Sequence, residues 1–404
     1  MMTYDVKKMG EKYRIRRKIK MGRIYTTDIN EMLKDGYTRK FGNKYLRTID
    51  AELSNPAYDK EYVKWSHEHG FFAECAYAYR LNENNYKNYL SDYDYYLIWP
   101  LNNWQKIWIN DKLTLKYMLA DTEFGSLMPD YYYYNANGVM TALLDNPYKQ
   151  KEYTFEDFLS LLKNIGDIAC KPCNGTTSLG FFRLSYKNGC FFMDDKEIIP
   201  EKLKKWVIDQ KNYIFTEYIK PSSQFAVYSP LIHTLRIVVL NEHGYDPKII
   251  GGYLRIPNAL SGSANYVVLT GKNVEKYNIF LGLDTETGAY GPGKLTYVNR
   301  IVDVDIHPDL GMPLRGIIEN YDELKRLVLG VASRFNTVSY LGFDIGVTDK
   351  GFKCMEINSH PGIKYLQIFN PLMTDIRTKD FYRKKIEEIY SLDAEDKKKR
   401  ENVR

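Results

Sequence analysis

The stretch LGFDIGVTDKGFKCMEINSHPG, Leu341 to Gly362, decides how this chain folds. Two β-rich runs flank Asp349, Lys350 and Gly351, which predicts a β-hairpin with a three-residue loop and Gly351 in the left-handed conformation. With Thr348 facing Phe352 across that loop, Asp344 falls directly opposite Glu356, their Cβ atoms about 5 Å apart. A slip of one residue would undo the pairing. Asn358, two residues beyond Glu356, shares its face of the strand.

Facing carboxylates repel each other unless a cation or a shared proton lies between them, and hard oxygen donors of this kind suit magnesium bridging substrate phosphates. The other reading is that one carboxylate bends into solvent or pairs with Lys353 or Lys364.

Upstream, KPCNGTTSLG runs from Lys171 to Gly180. A lysine ending a short strand (DIACKP), followed by small residues and glycines, offers charge and backbone N–H groups to a polyphosphate. It is not a Walker loop, because the lysine precedes the glycines and GK[ST] is absent. Alone it is a weak signal. The next run, NGTTSLGFFRLSYKNGCFFM, reads as a glycine-rich loop leading into a hairpin that turns at Lys187, Asn188 and Gly189. FTEYIKPSSQF places Glu217 at the end of an apolar strand and Gln224 seven residues later. Such a strand-to-loop segment can present backbone groups to a base and acceptors to a ribose.

Among the other segments, YYLIWP reads as a buried strand stopped by Pro100. NNWQKIWINDKLTLKYMLAD has helical spacing of Trp104, Ile107, Ile109, Leu113, Tyr117 and Leu119, with Asp111 capping its second part. TFEDFLSLLKNIG carries capping chemistry at Thr154 and a terminating Gly166. YIFTEYI, HTLRIVVL, KIIGGYLRI and NYVVL are β-rich, and YDELKRLVLGVASRF is an amphipathic helix.

With 404 residues the chain exceeds what one core usually organises, so two or three lobes with clefts between them are expected. No apolar run is long enough to cross a bilayer, and the polar, basic start has no signal-peptide pattern, so a soluble cytoplasmic protein is expected. The five cysteines are odd in number and scattered, which favours reduced thiols. Cys170 and Cys173 form a C-x-x-C without a second metal-spaced pair. The net charge of +6 and 36 tyrosines are weak grounds for nucleic-acid binding, which is not expected. The first 23 residues hold nine Lys or Arg against two Asp or Glu, a bias toward an anionic partner or a solvated helix face. The last 20 or so residues read as a frayed charged tail.

The order of these pieces carries a resemblance: a strand lysine and glycine loop, an E-x-I linker, an arginine inside a β-run, then D-x11-E-x-N. From about Leu101 to Leu372 the sequence resembles the ATP-grasp superfamily, and within it the sugar-transfer-associated group linked to bacterial surface-polysaccharide clusters. The resemblance implies an α+β fold in which two α+β lobes clasp ATP, with an additional N-terminal region. The expected division is 1–100 as the basic N-terminal region, 101–220 as the small lobe, 221–382 as the lobe with the metal hairpin, and 383–404 as the tail.

On that resemblance Lys112 and Lys171 contact the ATP phosphates and the loop of Asn174, Gly175, Thr176, Thr177, Ser178 and Gly180 folds over them. Glu217, Tyr218 and Ile219 hold adenine. Gln224 stands where many relatives have an acidic ribose contact. Arg236 steadies the transferred phosphoryl group, and Asp344, Glu356 and Asn358 are the magnesium ligands. His233, Arg255, Asn265, His360 and Lys364 are substrate-side candidates, with Arg255 suited to clamp a carboxylate. The implied activity is an ATP- and magnesium-dependent ligase that joins a small-molecule or glycan-linked carboxylate to an amine or similar nucleophile through an acyl-phosphate. A kinase of the same fold and a non-enzymatic binding module are the rival readings. Oligomeric state stays open, a homodimer included.

Overall fold

The computed structural model describes residues 25–148, 154–174, 180–261 and 266–402. The basic N-terminal stretch, the loop residues Gly175, Thr176, Thr177 and Ser178, and Asn265 lie outside the described residues.

The described residues open with helices: α1 (Ile29–Asp35), α2 (Arg39–Leu53), α3 (Lys60–Glu68), α4 (Ala73–Tyr79) and α5 (Asp92–Leu97). The last corrects the strand expected at YYLIWP. Ser91 accepts a hydrogen bond from the Asp94 N–H, and Asp92 and Asp94 fill the first turn, so capping and dipole chemistry overrides the β-propensity of the tyrosines. Two further helices, α6 (Lys106–Asn110) and α7 (Lys112–Leu119), follow, and Asp111 caps α7 by accepting from Thr114 N–H, as the sequence implied. The break at Asp111 resets the helical phase, so Ile109, Leu115 and Leu119 are buried while Trp104, Ile107 and Tyr117 are exposed.

The first sheet holds seven antiparallel strands in the order β2-β1-β7-β3-β4-β5-β6. They are β1 (Tyr131–Ala136), β2 (Val139–Ala142), β3 (Asp167–Pro172), β4 (Phe182–Lys187), β5 (Cys190–Met193), β6 (Lys196–Glu197) and β7 (Tyr213–Glu217). Helices α8 (Phe155–Ile165) and α9 (Pro200–Asp209) belong to this part of the chain, and Thr154 and Asp157 form the capping box of α8. Phe158, Leu161, Leu162, Leu203, Val207 and Phe215 make its core. A four-residue helix, α10 (Ser223–Ala226), leads onward.

The second sheet runs β12-β11-β10-β9-β8-β14-β15, with β13 (Gly316–Ile317) also pairing with β11. Its strands are β8 (Thr234–Leu240), β9 (Lys248–Ile256), β10 (Asn278–Leu283), β11 (Ala289–Thr296), β12 (Ile301–Val304), β14 (Tyr340–Thr348) and β15 (Gly351–Asn358). Strand alternation divides it into two faces. Leu235, Ile237, Phe343 and Ile345 pack against α11 (Tyr321–Arg334) through Leu324, Val328 and Val331. Val238, Leu240, Tyr253, Phe280 and Tyr340 face the N-terminal helices, α12 (Lys364–Gln367) and α13 (Ile376–Ser391). Residues 25–100 therefore form a helical layer on one face of this sheet.

NYVVL contributes no strand in its described part; instead the Asn278 side chain accepts from Val267 N–H and donates to Val267 C=O, both at 2.8 Å, in place of a ladder. The C-terminal end is not frayed either. Phe381, Tyr382, Ile386 and Ile389 of α13 are buried, and α14 (Ala394–Lys399) carries the chain back to Arg400, which donates to the carbonyls of Gly36, Leu97 and Trp99. Among the described residues no helix is long and apolar enough to cross a membrane, and the five cysteines are free.

Candidate active site

The hairpin β14–β15 turns through two residues, not three: Thr348 pairs with Gly351, Val347 with Phe352, and Ile345 with Cys354. That offset alone would put Met355 opposite Asp344. A β-bulge intervenes, Met355 is the extra residue, and Asp344 pairs with Glu356 after all. On the other side Asp344 pairs with Arg236 and Arg236 with Tyr253. Glu356, Asp344, Arg236 and Tyr253 thus form a row across four strands, on the sheet face that the helical layer also covers.

Within the row Arg236 holds both oxygens of Asp344, Nε to Oδ1 at 2.5 Å and Nη2 to Oδ2 at 2.9 Å. Burial pushes the Asp344 carboxyl up to about 6 against the pull of Arg236, and the Glu356 charge adds to the rise. Glu356 resists burial because the Lys112 ammonium, 3.5 Å away, holds it below the usual carboxylate range. The Asn358 amide nitrogen is 3.2 Å from Glu356 Oε1 and 3.5 Å from Asp344 Oδ2. Rotating that amide by half a turn would present its oxygen at the same spot, so two carboxylates and one amide oxygen converge as a hard cation needs. Among the described residues no group of three His, Cys, Asp or Glu side chains is placed to hold a metal.

Lys171, the penultimate residue of β3, lies beside this cluster. Burial, then the like charge of Lys112, lower it to about 8. Two ammonium groups crowded together in this way favour an anion between them, and a polyphosphate fits that need. Lys112 opens α7, and Asp111, which caps that helix, also accepts from Cys173 Sγ at 3.4 Å. Cys173 follows β3, so cap and thiol tie the two lysine-bearing elements together. Asn174 is exposed, and Gly180 has a φ of +76°, with a Cβ there only 2.5 Å from Tyr213 Oη, so the loop leaves through a position reserved for glycine.

Glu217 ends β7, where its N–H donates to Asp130 C=O at 2.8 Å and its carboxylate stands 3.6 Å from Lys353 Nζ. The Tyr218 ring lies 4.7 Å from the Arg183 guanidinium, which is fixed by Asp167. Ile219 is buried, and Gly346 of β14 lies against it. Gln224 donates to Ile317 C=O at 2.6 Å, and its Oε1 is buried without a partner.

The substrate-side candidates scatter. Arg255 shares the sheet face of the row and donates to Thr234 Oγ1 at 3.2 Å, with its Nε buried and unpartnered. His233 belongs to the opposite face by strand alternation, its ring buried beside Phe225 and depressed by burial to about 4. His360 packs at a tilt against Tyr95 and Trp99, ring centroids 4.1 and 3.7 Å away. Lys364 pairs with Glu74 at 2.9 Å, and Lys353 with Glu217, so neither neutralises the hairpin carboxylates.

Sequence reasoning missed Tyr253, Asn102 and Asn110. Asn110 exchanges two hydrogen bonds with Ser359, at 2.9 and 3.0 Å, and so fixes the residue after Asn358. Nothing in the run NNWQKIWIN distinguishes these amides from loop asparagines.

No curated protein matches the chain. The solved structures similar to it at low identity include the following three. An ATP-grasp ligase PsnB, complexed with a phosphomimetic variant of minimal precursor, Mg and ADP, is 13% identical over 70% of this chain and 60% of that one, with a TM-score of 0.34. D-alanyl-alanine synthetase A from Vibrio cholerae is 11% identical over 70% and 66%, with a TM-score of 0.38. D-alanine–D-alanine ligase from Bacillus anthracis is 12% identical over 72% and 69%, with a TM-score of 0.33. The chain spans less than two thirds of the length of the first two. The family model described as "Sugar-transfer associated ATP-grasp" matches residues 101–380, well over half of the chain. It takes in both sheets and the whole Glu356–Asp344–Arg236 row, and the chain belongs to the sugar-transfer-associated ATP-grasp family.

Proposed function

We propose that this protein is an ATP- and magnesium-dependent ligase that joins a carboxylate to an amine or similar nucleophile through an acyl-phosphate. The observation that carries the reading is the bulge-restored pairing of Asp344 with Glu356, flanked by Arg236 and Lys112.

A carboxylate is a poor electrophile because its leaving group would be oxide. In the first step its oxygen attacks the γ-phosphorus of ATP and the bond to the bridging oxygen breaks, releasing ADP. In the second the nucleophile's nitrogen attacks the acyl carbon, phosphate leaves, and the nitrogen loses a proton. Lys112 and Lys171 hold the phosphates. Arg236 spends two of its five N–H donors on Asp344 and keeps three for the transferred phosphoryl oxygens. Asp344, Glu356 and Asn358 take magnesium, which supplies charge neutralisation as the phosphoryl group moves. Asn174, Gly175, Thr176, Thr177, Ser178 and Gly180 form the phosphate loop, and Glu217, Tyr218, Ile219 and Gln224 the nucleotide pocket. Arg255 orients the carboxylate of a substrate. The family's link to sugar transfer supports a sugar-linked or uronic acid substrate, in surface polysaccharide or glycoconjugate assembly.

The test is thermal unfolding with ATP, ADP and GTP, with and without magnesium, in the native protein and in Glu356→Ala. A magnesium-dependent rise with ATP that the variant loses is expected, followed by phosphate release with paired carboxylates and amines. A stable phosphorylated product would instead make the protein a kinase. Silence toward every nucleotide, in calorimetry as well, would end the reading.

A further inference from the structure

A second charged cavity lies outside the row. A groove of about 390 Å³, open to solvent, is lined by Lys44, Arg47, Thr48, Glu52, Tyr58 and Glu74, with Asn55 on its rim. Lys44 and Arg47 stand one turn apart on α2, and both are exposed. Arg47 Nε reaches only the carbonyl of Asn43 in its own helix, and Lys44 Nζ stands over the Tyr96 ring at 5.6 Å. Among the described residues no carboxylate is within ion-pair distance of either cation.

The two carboxylates of the lining are already committed. Glu52 accepts from the N–H groups of Ala73 and Glu74 at 2.7 and 2.9 Å and meets His67 Nε2 at 2.9 Å. Glu74 holds Lys364. The groove therefore carries two unmatched positive charges beside the Tyr58 phenol, whose ring stacks on Tyr77. Its volume lies in the range of small-molecule sites.

Through Glu74, which pairs with Lys364 at 2.9 Å, the wall of the groove is tied to the segment that leaves the row. Lys364 is six residues beyond Asn358, the Tyr95 hydroxyl donates to Pro361 C=O, and the Lys44 charge reaches His360. On the other rim Asn55 packs against Gly271, where a Cβ would come within 2.1 Å of Asn55 Oδ1. Gly271 lies on the connection that follows Arg255. Both rims of the groove thus contact connections that leave strands of the candidate active site.

We propose that this groove, between α2 and the start of α4, binds the remote anionic group, carboxylate or phosphate, of the ligase's second substrate. The proposal rests on the ligase reading for the word substrate, while the anion site itself can be tested apart from it. Paired cations one turn apart, with hydroxyls and an aromatic face nearby, suit an anionic sugar derivative better than a neutral one.

The experiment is calorimetric titration of the full chain with glucuronic acid and glucose 1-phosphate, with glucose as the neutral control. It is repeated on Lys44→Glu/Arg47→Glu and on the milder Arg47→Gln. Expected is binding of one or both anions, none of glucose, and at least tenfold weaker anion binding in the double variant. The ATP and magnesium response should be unchanged in both variants, which separates this site from the nucleotide site and reports that the variants are folded. Glucuronic acid alone would identify a carboxylate as the recognised group, and glucose 1-phosphate alone a phosphate. Absence of anion binding by the native chain, or equal binding by the double variant, overturns the proposal.

Discussion

The Asp344 carboxylate accepts both of its short hydrogen bonds from Arg236 on the neighbouring strand, and neither side chain has more than 15% of its surface exposed. A buried pair of this kind gives little net stability but penalises the loss of either member, because the survivor is left charged and unpaired. Asp344→Ala and Arg236→Met should each lower the unfolding free energy by about 3–5 kcal/mol, while the double variant costs less than the two together. Urea unfolding of the four proteins measures this. Strict additivity would mean that the pair is not coupled.

The pairing of Asp344 with Glu356 was legible in the sequence, though by a wrong route. Strand alternation and the turn residues gave the right faces, and the loop is shorter than expected by one residue, which the bulge at Met355 repays. A bulge has no reliable local signature, so only the outcome could be read. The helix at Asp92–Leu97 was legible in principle through Ser91 and Asp94, yet the tyrosine-rich apolar run outweighed it. The place of residues 25–100 was not legible, because which sheet face a helix covers depends on contacts far apart in sequence. The Tyr37 hydroxyl, for example, donates to the Tyr93 carbonyl within the helical layer, whereas Asn102 reaches Tyr340 and Ser359 of the sheet.

Lys171 offers a pH test. Its folded value is about 8 against an ordinary 10.5, so between those values the unfolded chain binds more protons. Stability therefore rises as pH climbs from about 8 to 10.5, and below 8 the buried charge opposes folding in full. The same charge attracts a polyphosphate. Apparent ATP affinity should weaken above pH 8, by up to about tenfold per pH unit, as the free protein loses this proton. Lys171→Met should flatten that profile, bind ATP poorly throughout, and be more stable than the native chain at pH 7. A native affinity that is flat from pH 7 to 9.5 would show that Lys171 does not face the nucleotide.

Asn102 joins the helical layer to the site. It donates to Tyr340 C=O at 2.7 Å and Ser359 C=O at 3.3 Å, and it accepts from Ser339 N–H at 2.9 Å, all while 3% exposed. Asn102→Ala leaves these buried backbone groups unmatched, at about 2–4 kcal/mol. Because Ser359 follows Asn358, magnesium-dependent ATP binding should weaken as well. Calorimetry beside urea unfolding separates the two effects, and intact nucleotide affinity in a destabilised variant would confine Asn102 to stability.

Arg400 closes the molecule from the other end. Its guanidinium donates to Gly36, the C-cap of α1, to Leu97 at 2.9 Å, the last residue of α5, and to Trp99 at 2.7 Å. Carbonyls at helix C-termini lack intrahelical donors and carry the negative end of the helix dipole, so one half-buried cation satisfies two helix ends together. Burial lowers the group to about 10, still leaving it charged at neutral pH. Arg400→Ala should cost about 1.5–3 kcal/mol, the range for hydrogen bonds to a charged group. Arg400→Lys should recover only part, since one ammonium cannot span three acceptors in a fixed fork. Amide exchange should accelerate first at Asp35–Tyr37 and at Tyr96–Trp99, ahead of the sheets. Uniform acceleration across the chain would mean that the variant had lost global stability without any local clamp, and unchanged exchange would mean that the C-terminal segment does not hold these helices in solution.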